Sequence, residues 1–228
     1  MATSDAATST KKRRAPGHPG SRSRQRYEER RDQIVDAAAT VFAQRGYHAT
    51  SIDDLVEAIG LKRGGLYHYV DSKRDLLLLI HERFIAPLLA NAEEVLQRAL
   101  PPDEALRLLG RVLMNNIANY HDQVTVFLHE WRVIEKDPEW VEIREARRRF
   151  EDLVGDVLGQ GEKDGLFRFA DRRIAVLGFL GMINYSYQWF RPGGRIAPDA
   201  IADQLVSTYL DGIRRPTSRR RTGRSDTR

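Results

Sequence analysis

Apolar residues recur at three- and four-residue spacing along most of the chain, and no stretch of four or more residues alternates as a half-buried strand would. With 228 residues there is enough material for a sizeable core, held in one large domain or in a small one joined to a larger. Ile34, Ala37, Ala38, Val41 and Phe42 trace the buried stripe of a first helix, and Gly46 closes it as a left-handed C-terminal residue. Thr50 or Ser51 caps a short second helix whose first turn carries Asp53 and Asp54, where carboxylates suit the helix dipole. Gly60 makes a turn, and a short segment, 62–70, follows. Asp71 or Ser72 then caps a longer helix through Leu76, Leu77, Ile80 and Phe84, with Pro87 expected to kink it and not to end it. Beyond Pro101 and Pro102 the spacing predicts helices over 103–119, 123–135, 138–161, 171–191 and 198–213, parted at 161–165 and 192–194. The expected fold is all-α: an N-terminal three-helix unit followed by a larger helical bundle.

Charge is distributed unevenly. Residues 1–26 carry seven Lys/Arg and one Asp, residues 214–228 carry seven Arg and one Asp, and the body between is net acidic. The ends read as a disordered basic arm (1–26) and a disordered basic tail (214–228), suited to polyanions through salt-dependent counterion release. There is no cysteine, which removes disulfides, thiol nucleophiles and Cys-based zinc sites. No run of 18 apolar residues and no apolar leader segment is present, so the chain is expected to be cytoplasmic, with no membrane partner.

The most informative stretch is residues 50–73. A capped short helix, a glycine turn and a second short helix form a helix-turn-helix, whose second helix enters the major groove of double-stranded DNA. Lys62 and Arg63 bring charge to the start of that second helix. Gly64 and Gly65 allow close backbone approach, Tyr67 and His68 offer donors, and Lys73 stands at the next helix N-terminus, where a phosphate is favoured. With Thr50 these are the candidate DNA-contacting residues. Leu55, Ile59, Leu66 and the ring of Tyr69 are assigned to the core. Residues 27–80 hold seven Lys/Arg against nine Asp/Glu, so the motif, not the net charge, carries the reading.

Residues 34–47 together with 50–73, above all Leu66-Tyr67-His68-Tyr69 and Ser72-Lys73, resemble the DNA-binding domain of the TetR family. The resemblance covers roughly residues 30–80 without a gap. It implies a DNA-binding domain at 27–80, a ligand-binding and dimerisation domain at 81–213, and a homodimer that acts as a repressor on a palindromic operator. It departs from the usual pattern at Lys62, Gly65 and Val70, so base preference does not transfer.

Beyond residue 80 two aromatic stretches stand out, 127–132 and 182–194. Asn184, Tyr187, Gln188 and Arg191 would share one helical face, either lining a pocket or lying at an interface. The second stretch is similar to a segment of TetR-like regulators that answer to acyl-CoA thioesters from fatty, aromatic or steroid acids. By that resemblance the effector is an acyl-CoA. The candidate ligand residues are Phe127, Glu130, Trp131, Arg147, Asn184, Tyr187 and Gln188. Arg144, Arg147, Arg148 and Arg149 form a basic cluster that either meets CoA phosphates or pairs with Glu142, Glu145 and Glu151. The last two helices, 171–191 and 198–213, are expected to form the dimer as a four-helix bundle.

No nucleophile elbow, P-loop, dinucleotide fingerprint or His-Glu-x-x-His motif is present, so neither catalytic residues, metal ligands nor a cofactor are expected. Gly178 and Gly181 are read as a site of close helix packing. Rival readings are the same fold sensing a cationic or aromatic drug, for which Glu130 is the acidic candidate; an architectural DNA binder without an effector cavity; and, from another class, a helical enzyme acting on acyl-CoA.

Overall fold

Residues 19–136 and 138–214 are described by the computed structural model, and among them nine α-helices dominate. They are α1 (Pro19–Arg45), α2 (Ile52–Ile59), α3 (Arg63–Leu66), α4 (Lys73–Gln97), α5 (Pro102–Asn119), α6 (His121–Ile134), α7 (Val141–Lys163), α8 (Arg172–Asn184) and α9 (Pro198–Ile213). One-turn 3-10 helices stand at Pro138–Trp140 and Tyr185–Gln188. The only β pairing among the described residues is a bridge between Phe167 and Arg214.

The local signals act as physical chemistry requires. Ser51, not Thr50, caps α2: its hydroxyl accepts from the Asp54 amide while the Asp54 carboxylate accepts from the Ser51 amide. Ser72, not Asp71, caps α4 by accepting from the Asp75 amide. Gly60 ends α2 at φ +70°, a left-handed geometry that glycine adopts without a Cβ penalty. Helix α4 runs through Pro87 without ending.

Three expectations change. The first helix starts at Pro19, so residues 19–26 are helical and not part of a disordered arm. Arg24 pairs with Glu28 and Gln25 with Glu29 at i,i+4, which supports the extra turns, and proline is tolerated at a first helical position. The remainder of the arm (1–18) and the tail (215–228) lie outside the described residues. The segment at 62–70 is helical only over Arg63–Leu66. The helix expected at 171–191 stops at Asn184 and tightens into the 3-10 turn. Fully buried Ser186 anchors that turn by donating to Met114 Sδ of α5 at 3.2 Å.

A core of Ile34, Ala38 and Phe42 from α1 packs with Leu55, Leu66, Leu76 and Ile80 from α2, α3 and α4. Helix α1 also lies on α6, so the small unit is seated on the bundle. In the bundle α5 is central, packed against α4, α7, α8 and α9. Gly110 lets α9 approach: a Cβ there would lie 2.4 Å from Val206 Cγ2 and 3.5 Å from Ile183. Gly178 and Gly181 do not play the expected role within the chain, since both are exposed and a Cβ on Gly181 would meet nothing.

His81 of α4 is 5% exposed, and burial pushes its pKa down to about 4. The unfolded chain, with an ordinary histidine near 6.5, takes up the proton first as pH falls, so stability is lost between about pH 6.5 and 4.

Two outcomes follow. Gly110→Ala is expected to cost roughly 1–3 kcal/mol by overpacking against Val206, read as a lowered urea midpoint with an unchanged m-value. Over the interval from pH 6.5 to 4 His81 is expected to account for about 3 kcal/mol of lost stability. Paired urea titrations of wild type and His81→Leu should show the variant losing less.

Candidate nucleic-acid interface and effector pocket

The head of the molecule presents α3 outward. Lys62 is its N-cap residue and is exposed, and Tyr67 at its C-terminus is 45% exposed. His68 is also exposed, with its ring edge-on to Tyr27 and Tyr69. Arg63 is exposed and held by Asp53 of α2 through both carboxylate oxygens at 2.7 and 2.8 Å. That pair fixes the guanidinium beside the helix start and raises its pKa. Gly64 and Gly65 are not demanded by the chain's own packing. A Cβ on Gly64 would meet nothing, and one on Gly65 would make only ordinary contact with Leu61 at 3.8 Å. The space in front of both is open to a phosphate backbone. The lower part of α1 is attached to this face, since Tyr27 stacks on Tyr69 at 4.9 Å and its hydroxyl donates to the His68 carbonyl.

Two of the expected DNA residues bond to the protein's own backbone. Thr50 is 2% exposed, and its hydroxyl donates to the Gly46 carbonyl at 2.8 Å. Lys73 Nζ donates to the Thr50 carbonyl at 2.7 Å and lies 4.4 Å from the centre of the Tyr47 ring. Its partial burial lowers the ammonium pKa. Both groups satisfy backbone carbonyls of the loop between α1 and α2.

The bundle holds an apolar cavity of about 60 Å³ between α4, α5, α6, α7 and α8. Phe84, Leu88, Leu113, Phe127 and Phe150 supply its walls, while Asn116, Arg147, Glu151 and Asn184 supply its polar groups. Arg147 and Glu151 also border an open groove of about 1070 Å³ between α6, α7 and α8. That groove carries Trp131, Arg144, Arg148, Arg172 and Arg173, with Glu135, Asp152 and Asp156 among them. Arg147 stands at the junction: its Nε donates to Glu151 at 2.8 Å and its guanidinium lies 3.9 Å from the centre of the Trp131 ring. Arg149 points elsewhere, pairing with Glu93 of α4, so the four-arginine cluster is divided between two faces of α7.

Of the expected ligand residues, Phe127, Arg147 and Asn184 meet at the cavity, and Trp131 lies in the adjoining groove. Glu130 lines neither. Its side chain accepts from the Tyr47 amide at 3.3 Å and stands 3.5 Å from His48 Nε2, so it holds the head to the bundle. The single polar face expected of Asn184, Tyr187 and Gln188 does not form. A 3-10 turn advances about 120° per residue where an α-helix advances about 100°, so Tyr187 stays in register with Asn184 while Gln188 is carried about a third of a turn away. Tyr187 contacts His129 and gives its carbonyl to His121, and exposed Gln188 bonds the Tyr187 hydroxyl.

Asn116, Arg172 and Arg173 were not anticipated. Asn116 sits among Leu109, Leu113 and Ile117 on the buried stripe of α5, and a polar residue at that register was a legible signal. Arg172 and Arg173 occupy the first turn of α8, where cations oppose the helix dipole. Among the described residues no group of His, Asp or Glu is arranged to hold a metal, and no helix is long and apolar enough to cross a membrane.

With this geometry in view the comparisons with known proteins are coherent. Residues 34–80 match the model of the bacterial regulatory proteins of the tetR family, and residues 99–213 match the tetracyclin repressor-like C-terminal domain. The HTH-type transcriptional repressor KstR2 of Rhodococcus jostii (strain RHA1) is 31% identical over 188 residues, covering 82% of this chain and 92% of that protein. The solved structure of the ketosteroid transcriptional regulator KstR2 of Mycobacterium tuberculosis gives a TM-score of 0.77 at 27% identity, covering 82% of this chain and 96% of that one. AibR in complex with isovaleryl coenzyme A and operator DNA gives 0.69 at 27% identity, covering 78% and 97%. The chain belongs to the TetR family of bacterial transcriptional regulators.

Proposed function

We propose that the chain is a homodimeric repressor, bound to a palindromic operator through Lys62, Arg63, Gly64, Gly65, Tyr67 and His68, and released by an acyl-CoA thioester. The observation that carries the effector class is the junction at Arg147. An apolar cavity suited to an acyl group adjoins a wide groove with several arginines suited to phosphates, and a thioester has the same division along its length. AibR, similar over most of its length, was solved with isovaleryl coenzyme A and operator DNA. The drug-sensing alternative is weakened because Glu130, its acidic candidate, faces the head and Glu151 is paired with Arg147.

The dimer surface is supported by the outer face of α8. Ile174 is 69% exposed, and Leu177, Gly178, Gly181 and Tyr185 follow it at helical spacing, an apolar strip with two residues small enough for close approach of a second helix. In such a dimer the two heads would read half-sites about 34–36 Å apart. A cavity of about 60 Å³ has room for a few waters, so an acyl chain must push its walls apart. Phe84 and Phe127 are in those walls, and their helices are the ones that carry α1. Repression is relieved if the opened form is the one in which the heads no longer match the operator, with couplings in such systems typically about 1–3 kcal/mol.

Tyr67→Ala is expected to weaken operator binding by at least about tenfold, the loss of one good contact, while leaving the dimer intact. Anisotropy of a labelled fragment from upstream of the gene, with sedimentation for the dimer, reads both, and unchanged affinity removes α3 from the interface. The same assay titrated with acyl-CoAs, their free acids and CoA alone tests the effector. Release by a thioester and not by its acid supports the reading, and Arg147→Ala should raise the thioester concentration required. Tight operator binding that no thioester disturbs would discard the acyl-CoA assignment.

A further inference from the structure

On α4, His81, Phe84, Ile85 and Leu88 form one stripe at i, i+3, i+4 and i+7. The last three line the cavity; His81 does not. It lies in a close-packed part of the core with no room for a water, beside Ile80, Gln123 and Ile143. Phe84 and Phe127 border both the cavity and this packed region, whereas Arg147 borders only the cavity. The His81 ring is 5.2 Å from each of the two phenylalanine rings, which are 5.5 Å from each other. These rings separate the cavity from the imidazole.

His81 Nε2 is buried and has no hydrogen-bond partner among the described residues. An unsatisfied polar atom in an apolar core is costly, and an aliphatic or aromatic side chain at this point of the stripe would avoid the penalty. The site therefore contains an unmet hydrogen bond next to walls that must move for any acyl group to fit.

We propose that His81 is a specificity-determining residue: displacement of Phe84 and Phe127 opens the cavity to the imidazole, and His81 Nε2 then pairs with an oxygen at the far end of the acyl group. The preferred effector is thus an acyl-CoA whose acyl portion carries a hydroxyl or keto oxygen remote from the thioester. This rests on the acyl-CoA reading above and narrows it. At neutral pH the imidazole is uncharged, with one nitrogen to donate and one to accept. A hydroxyl satisfies Nε2 in either tautomer, and a ketone satisfies it when Nε2 carries the proton.

The test uses matched thioesters: hexanoyl- to dodecanoyl-CoA, each beside its terminal-hydroxy counterpart, and cyclohexylpropionyl-CoA beside its ring-keto analogue. Binding to the full chain is read by calorimetry, and operator release by anisotropy. Wild type is expected to favour the oxygenated member of at least one pair by about tenfold or more, the scale of a buried group satisfied instead of orphaned. In His81→Leu that preference should vanish or invert, with affinity for the unoxygenated thioester retained and thermal stability not reduced. His81→Gln keeps a hydrogen-bonding side chain and should keep part of the preference, and it carries the test if the leucine variant does not fold. Equal affinities throughout in wild type, or a preference that survives His81→Leu, would overturn the assignment of His81 while leaving the acyl-CoA reading standing. Failure of every thioester to bind would overturn both.

Discussion

The attachment of α1 to α4 and α6 is the constraint on which the rest of the molecule depends. Its apolar part is the seam of Ile34, Ala38 and Phe42, each almost fully buried. Its polar part is centred on Asp36, which accepts from Arg83 of α4 at 3.2 and 3.3 Å and from Gln123 of α6 at 2.9 Å. Arg83 reaches Asp32 as well, and Thr40 donates to Asp122 at the start of α6. Glu130 adds a contact with the loop between α1 and α2 at the other end of α6. Since α2 packs on α1 and α3 on α2, the orientation of α3 follows the seat of α1 on the bundle.

The clamp and the cavity share helices, at adjacent positions. Arg83 grips α1 while Phe84, the next residue, lines the cavity. Phe127 lines the cavity from α6, between Gln123 and Glu130, both of which hold the head. Side chains in close-packed cores move in discrete repackings and not by continuous compression, so a phenylalanine displaced on one face of α4 or α6 shifts the helix that carries the clamp on its other face. Arg83, Asp32 and Asp36 are partly exposed, and ion pairs of that kind contribute little individually.

Most of the fold was legible because it is governed by local chemistry. The caps at Ser51 and Ser72, the left-handed glycines at 46 and 60, and α9 over Pro198–Ile213 all follow from short-range signals. The departures arise where a distant partner decides. Ser186 is drawn onto Met114, 72 residues earlier, and the 3-10 turn it anchors disperses a polar face that helical periodicity had assembled. Glu130 was placed in a pocket for its aromatic neighbours, but its partners are backbone and imidazole 83 and 82 residues away. The helix-turn-helix was legible as a motif, and the bonds by which Thr50 and Lys73 close the loop before α2 are a role that composition and spacing do not encode.

His81 belongs to a different category, because its position was visible in the sequence and its significance was not. A histidine continuing the stripe of Phe84, Ile85 and Leu88 reads as one more core residue until the absence of a partner at Nε2 is seen. Stability alone gives no reason to keep it: an apolar residue of similar volume would remove both the orphaned nitrogen and the acid sensitivity that its low pKa imposes. Core positions that weaken the protein are expected where function needs a group that packing would reject. The free form would then be poised, closed around a small cavity with one unmet hydrogen bond, so that opening the core costs packing and regains a polar contact only for a ligand with an oxygen in the right place. Discrimination would arise in that difference, since the phenylalanine and leucine walls of the cavity distinguish acyl groups mainly by size.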